Sequence, residues 1–180
     1  MNNIGTKTIE TKRLILRRFS EQDAKEIYEG YVNQEKFLYY ANKEKRTLEE
    51  EIESLNGINE KYNNPEYYNW LITTKKDKKI IGAINLNVDN YNESVEFNYA
   101  IDDRYEGKGY MTEALEAVKN YCLNEVSVNR IFGGCEINNL ASKRVMEKCS
   151  FIYEGTLRNY LKLKDGYHDM HLYSIINDRK

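Results

Sequence analysis

Residues 13–19, RLILRRF, place Leu14 and Leu16 on one face and Ile15 on the other, a period of two that predicts a strand. Ser20 with Asp23 then forms a capping-box pattern, and Ala24, Ile27, Tyr28 and Tyr31 make the apolar stripe of a helix. Thr47 with Glu50 repeats the signal and opens an acidic helix carrying Leu48, Ile52 and Leu55, its glutamates read as a solvated face. Residues 70–74 and 80–88, joined by the polar turn 75–79, predict an antiparallel hairpin. After a second polar turn, 89–93, the stretch 95–101 alternates. Val95, Phe97, Tyr99 and Ile101 point one way, and Glu96, Asn98 and Ala100 the other.

Further along, Met111, Ala114, Leu115, Val118, Tyr121 and Cys122 recur at helical spacing. Residues 130–137 read as a strand and 139–149 as a short helix with Val145, Met146 and Cys149 facing inward. Residues 151–156 and 157–163 read as two extended segments, and Asp165-Gly166 as a hairpin turn into a last strand, 168–176. The order β-α-α-β-β-β-α-β-α-β-β predicts an α/β fold: a single mixed, mostly antiparallel twisted sheet flanked by helices. With no linker or repeat, 1–180 reads as one domain with its core at about 8–177.

Composition narrows the function. Hydrophobic content of 41%, with 16 Tyr and 5 Phe, supplies the apolar area that a disordered chain lacks. A net charge of -2 without a basic run gives no reason to expect nucleic acid. No apolar window is long enough for a membrane span, and no secretory leader is evident. Cys122, Cys135 and Cys149 are odd in number and lack a CxxC, so neither a disulfide framework nor a structural zinc site follows, and a reducing cytoplasm is expected. His168 and His171 fall on opposite faces of the last strand, which argues against a metal site; no metal is expected.

The segment IDDRYEGKGYMT, 101–112, joins a strand to an amphipathic helix. Glycines there permit a tight turn that exposes consecutive N–H groups at a helix N-terminus, an arrangement that attracts phosphate. Arg104 and Lys108 could add charge-assisted contacts. The competing reading is a plain Gly-rich turn that caps a helix. A Walker A loop is excluded because Tyr110 follows Gly109, and a Rossmann turn because Gly107-x-Gly109 is followed by Thr112 deep in the chain.

The pattern [R/Q]-x-x-G-x-[G/A] between strand and helix resembles the coenzyme A pyrophosphate turn of the GNAT acetyltransferase superfamily. TKRLILR, 11–17, is similar to the opening strand of its ribosomal-protein N-terminal acetyltransferase branch, and VEFNYAI, 95–101, to that branch's AEIGYWL strand. Asn139-Leu140-Ala141-Ser142 with EKCSF, 147–151, resembles its N-x-x-S…EKLGF element, and DGYHD, 165–169, with LYS, 172–174, its closing hairpin. The matches run in family order.

The resemblance implies a GNAT-like acyl-CoA acyltransferase fold. It also implies an acetyl-CoA-dependent N-acetyltransferase that moves the acetyl group to a primary amine, either a protein N-terminus or a small molecule. Backbone groups of Tyr99, Ala100 and Ile101 would take the pantetheine arm as an added strand. Arg104, Glu106, Gly107, Lys108, Gly109, Tyr110, Met111 and Thr112 would wrap the pyrophosphate. Asn139 would fix the pantetheine near the thioester, and Lys143 or Lys148 would lie near the nucleotide. A homodimer is a further implication.

An amine attacks only when neutral, so Glu96 is the candidate base, directly or through water, against a purely structural carboxylate. Ser142 is the candidate donor to the departing thiolate, against a surface serine. Three departures from the family pattern stand out: Met146 where many relatives carry Tyr, Ser150 in place of Gly before Phe151, and no glutamate near Tyr160. They leave a non-catalytic acyl-CoA-binding module as the alternative. The acceptor is expected between residues 33–69 and the closing hairpin.

Overall fold

The structure, a computed structural model describing residues 1–177, is built on one sheet of eight strands in the order β1-β2-β3-β4-β5-β6-β8-β7. The strands are β1 (Ile9–Glu10), β2 (Leu14–Arg17), β3 (Tyr68–Thr74), β4 (Ile80–Asp89), β5 (Ser94–Ile101), β6 (Arg130–Glu136), β7 (Ile152–Leu163) and β8 (Gly166–Ile176). Their helices are α1 (Ala24–Glu29), α2 (Glu35–Tyr40), α3 (Leu48–Lys61), α4 (Tyr110–Tyr121) and α5 (Leu140–Lys148). Every pairing is antiparallel except β5 with β6. The expected α/β class and mostly antiparallel sheet are therefore present.

Local chemistry explains most boundaries. Both capping boxes form: Ser20 with Asp23 ahead of α1, and Thr47 with Glu50 at the start of α3. Some elements differ from the pattern reading. The first helix stops at Gly30, and the chain re-enters helix as α2, whose sequence EKFLYY carries no clean apolar period. The two extended segments after Phe151 are one strand, β7, with its register shifted between Leu157 and Leu161. The α3 glutamates are not all solvated. Glu51 is buried and bonded to Arg46.

The sheet separates two cores. On one side Leu14, Leu16, Trp70, Ile84 and Phe97 pack with α4 and α5 through Leu115, Val118 and Met146. On the other, Leu71 and Ile80 pack with α1 and α3 through Ile27 and Leu55. Cross-strand parity therefore sends Tyr99 and Ile101 toward α4 and α5, and Ala83 and Ala100 toward α1–α3.

The parallel pairing of β5 and β6 is short: Ser94, Val95 and Glu96 face Arg130, Ile131 and Phe132, and there it ends. The next pair would join Phe97 to Gly133. A Cβ at Gly133 would come within 2.5 Å of the Phe97 ring, so the ring lies over Gly133 on the α4–α5 face of the sheet. Phe97 is held in turn by Tyr99, stacked at 6.0 Å, and by Phe151, edge-on at 5.0 Å. Beyond Glu96, β5 keeps β4 as its partner and leaves its other edge without a ladder.

One carboxylate ties the start of the sheet to α4. Glu113 Oε1 accepts from Arg13 N at 2.7 Å and Thr11 Oγ1 at 2.6 Å, and Oε2 accepts from Arg13 Nε at 2.6 Å. Burial raises the Glu113 carboxyl, but these hydrogen bonds outweigh it and hold the group below its ordinary value of 4.5. A folded value below the unfolded one contributes stability above pH 4.5, and that contribution fades as pH falls through the lowered folded value. Glu113→Gln is expected to cost about 1–2 kcal/mol at pH 7 in urea unfolding, since charge-assisted bonds are lost from a partly buried site. The difference from wild type should narrow as the pH is lowered into the acid range.

Candidate active site

The turn between β5 and α4 is shaped from within. Asp102, fully buried, donates its N–H to Ile81 O, and its carboxylate accepts from Arg104 N and Arg104 Nε, each at 2.9 Å. Burial pushes this carboxyl up, but Arg104 and Gln34 hold it below its ordinary value. After one 3-10 turn, Asp103–Tyr105, the chain reverses through Gly107 at φ 70° and Gly109 at φ 75°. Gly109 is the N-cap of α4. From Gly107 to Thr112, no backbone N–H has an acceptor among the described residues. This run of free donors meets the positive end of a 12-residue helix, a cradle suited to a diphosphate.

The turn opens into a cavity of about 670 Å³ that reaches both faces of the sheet. Of the residues expected to bind the cofactor, Tyr99, Ala100 and Ile101 on β5 line it, as do Glu106, Gly107 and Gly109 in the turn. Tyr110, Met111 and Thr112 at the start of α4 and Asn139 at the head of α5 line it as well. Arg104 and Lys108 do not. The Arg104 guanidinium is bonded to Asp102, and Lys108 Nζ donates to Arg104 O at 2.8 Å, so both charges brace the turn. Lys148 lines the cavity with Arg144, whereas Lys143 lies beside Glu147 at 3.9 Å.

Ser142 sits on α5 facing β5 across the gap. Its N–H donates to Asn139 Oδ1 at 3.1 Å, the side-chain cap of the helix. Its hydroxyl shares a 2.7 Å hydrogen bond with the Tyr99 hydroxyl, whose ionisation burial strongly opposes. The pair is thus a neutral donor chain at the parting of the strands. Only the Tyr99 backbone was expected to matter; its side-chain contact was not legible, because it depends on where α5 crosses β5. Cys135 is buried and its thiol is pushed up to about 11 by that burial, which leaves it protonated near neutral pH.

The other half of the cavity faces α2 and α3. Asn69, Asn85 and Asn98 are cross-strand neighbours on β3, β4 and β5 and form a polar floor. Phe37, Tyr40 and Tyr31 supply apolar wall, and Lys36 pairs with Glu106 at the mouth. Deeper in, Arg46 Nη1 donates to Glu51 Oε2 at 3.0 Å and Ser54 Oγ at 3.1 Å. Glu51 could have been found from the sequence, since it follows Leu48 by three and precedes Leu55 by four, on the inward stripe of α3. Glu96 lies on this same face of β5 but two cross-strand pairs beyond Asn98. Its carboxylate accepts from Asn87 Nδ2 at 3.1 Å and does not line the cavity. The closing hairpin contributes no lining residue and touches α2 through Tyr39 and Asp165.

His168 and His171 lie away from the cavity, bonded to Asp165 and Thr156 respectively. No cluster suited to a metal ion exists among the described residues. No helix among them is long and apolar enough to cross a membrane.

Residues 13–152 match the acetyltransferase (GNAT) domain family. An uncharacterized N-acetyltransferase of Bacillus subtilis, YoaA, is 28% identical over 173 residues, covering 96% of this chain and 98% of that protein. The ribosomal-protein-serine acetyltransferase of Escherichia coli is 31% identical over 104 residues, 57% of this chain and 58% of its own length. A solved ribosomal L7/L12 alpha-N-protein acetyltransferase in complex with coenzyme A shares the fold, with a TM-score of 0.85 at 20% identity over 97% of this chain and 100% of that one.

Bulky residues in the turn test the cradle. Gly107 and Gly109 hold a left-handed backbone that costs a β-branched residue about 1–2 kcal/mol at each position. Gly107→Val and Gly109→Val are each expected to weaken coenzyme A binding at least about tenfold in titration calorimetry, the affinity equivalent of that strain. Gly57→Ala, on an open helix face, should leave the affinity unchanged.

Proposed function

The chain belongs to the GNAT acetyltransferase family and uses acetyl-CoA to acetylate an amine, and on that premise we propose how its cleft divides the work. The co-substrate takes the α4–α5 side: diphosphate on the free amides of 107–112, pantetheine along the unpaired edge of β5 at Tyr99–Ile101. The acceptor amine enters from the α2–α3 side over the Asn69–Asn85–Asn98 floor. The two meet where β5 parts from β6, and this parting is the observation that carries the reading.

At that point the amine lone pair attacks the thioester carbonyl, the C–S bond breaks, and the sulfur leaves as a thiolate that needs a proton. Ser142 donates a hydrogen bond to that sulfur, held in line by the Tyr99 hydroxyl at 2.7 Å, and the proton shed by the amine reaches the thiolate through solvent, so Ser142 and Tyr99 both stay neutral. The amine's own proton leaves on the acceptor face. Glu96 is too far along β5 to take it directly, about 7 Å beyond Asn98 by strand spacing, so it acts through bound water while Asn87 holds its carboxylate. Met146, fully buried in the core, excludes a tyrosine acid at that position and leaves the donor role to Ser142.

The acceptor is a protein N-terminus or a small amine, and the reducing cytoplasm is the setting that three free, buried cysteines support. Steady-state assays of thiol release test the roles. Ser142→Ala should lower kcat roughly a hundredfold with little change in the KM for acetyl-CoA. Glu96→Gln should lower kcat/KM for the amine by about tenfold to a hundredfold. Full activity in both variants contradicts the assignment.

A further inference from the structure

The cations that line the α2–α3 half of the cavity differ in how they are partnered, while Asp103 and Glu106 both face Lys36. Lys36 is neutralised by Glu106, and Arg46 by Glu51. Lys43 also lines this half, yet its ammonium has neither a hydrogen bond nor an ion pair among the described residues. Arg46 spends only Nη1 on Glu51 and Ser54, and its Nε and Nη2 have no partner among the described residues. Its backbone is fixed, since Arg46 N donates to Asn33 Oδ1 at 3.0 Å and Arg46 O accepts from Asn33 Nδ2. The guanidinium is therefore held in place rather than free to swing into solvent.

Resting on the acceptor placement above, we propose that Lys43 and the free edge of Arg46 bind a carboxylate of the acceptor, so that the enzyme selects primary amines that also carry an acid group. A guanidinium edge and an ammonium facing one cavity match a carboxylate in charge and in donor geometry. Burial and the neighbouring Arg46 charge both hold the Lys43 ammonium below its ordinary value, a cost that a bound anion relieves. Tyr31, Phe37 and Tyr40 supply apolar wall on one side, while Lys43 is exposed and reaches the contact from the solvent side. The same chemistry occurs in a free amino acid and in a peptide with an acidic residue near its N-terminus.

The experiment separates these sources. kcat/KM is measured for alanine against alaninamide, and for amidated peptides beginning Ser-Glu against Ser-Gln. In at least one pair the acid is expected to be favoured about fivefold, the upper end for a solvent-accessible charge contact. Lys43→Gln should remove most of that preference and Lys43→Arg should retain it; comparing ratios between variants cancels the intrinsic reactivity of each amine. Equal use of acid and neutral partners in both pairs, or a preference unmoved by Lys43→Gln, overturns the proposal. Calorimetry with N-acetylalanine and N-acetyl-Ser-Glu, each against its neutral amide, reads the same site without turnover and must show the same ordering. Absence of thiol release with every amine would instead count against the catalytic assignment, and the binding data would still decide for or against the anion site.

Discussion

The parting of β5 from β6 after Glu96 is the constraint on which the cleft depends. A sheet that stayed zipped would satisfy the β5 backbone internally and leave no route between its faces. Where the ladder ends, the ring of Phe97 lies over Gly133 on the α4–α5 face, and the lack of a side chain at Gly133 lets the ring sit there. Past that point the β5 edge has backbone hydrogen-bonding groups that no strand uses, while Phe97 is packed by Tyr99 and Phe151.

Around that opening, charges do two different jobs. Asp102–Arg104 and Thr11–Arg13–Glu113 brace the turn and dock α4 against β2, so in the proposed placement the diphosphate would meet backbone N–H groups rather than side-chain cations. Such donors are fixed by the fold and lose no side-chain entropy on binding. On the opposite face Lys43 lines the cavity with no hydrogen bond or ion pair among the described residues, and Arg46 lines it while one nitrogen braces Glu51 and Ser54. The contrast follows from location. The turn must keep one shape, whereas the acceptor pocket must distinguish ligands.

Much of this was legible in the sequence because it is local. Alternation in 95–101, the Gly107-x-Gly109 turn and both capping boxes are short-range signals, and each appears where the pattern placed it. What escaped reading depends on tertiary crossing. Arg104 and Lys108 look like phosphate ligands in a linear motif, yet the fold places Asp102 and the Arg104 carbonyl within their reach first. Glu96 was placed on the correct face, but how far the cavity extends along β5 is set by α2 and α3, not by β5 itself. The Tyr99–Ser142 contact joins residues 43 apart in sequence and needs the position of α5.

A crystal structure of the protein with acetyl-CoA tests the central claim most directly. Diphosphate density within hydrogen-bonding distance of the amides of 107–112, with the pantetheine lying along Tyr99–Ile101 and the thioester beside Ser142, is the result this account predicts. Density for the co-substrate outside the gap between β5 and β6, or a β5–β6 ladder that continues past Phe97 in the complex, would contradict it.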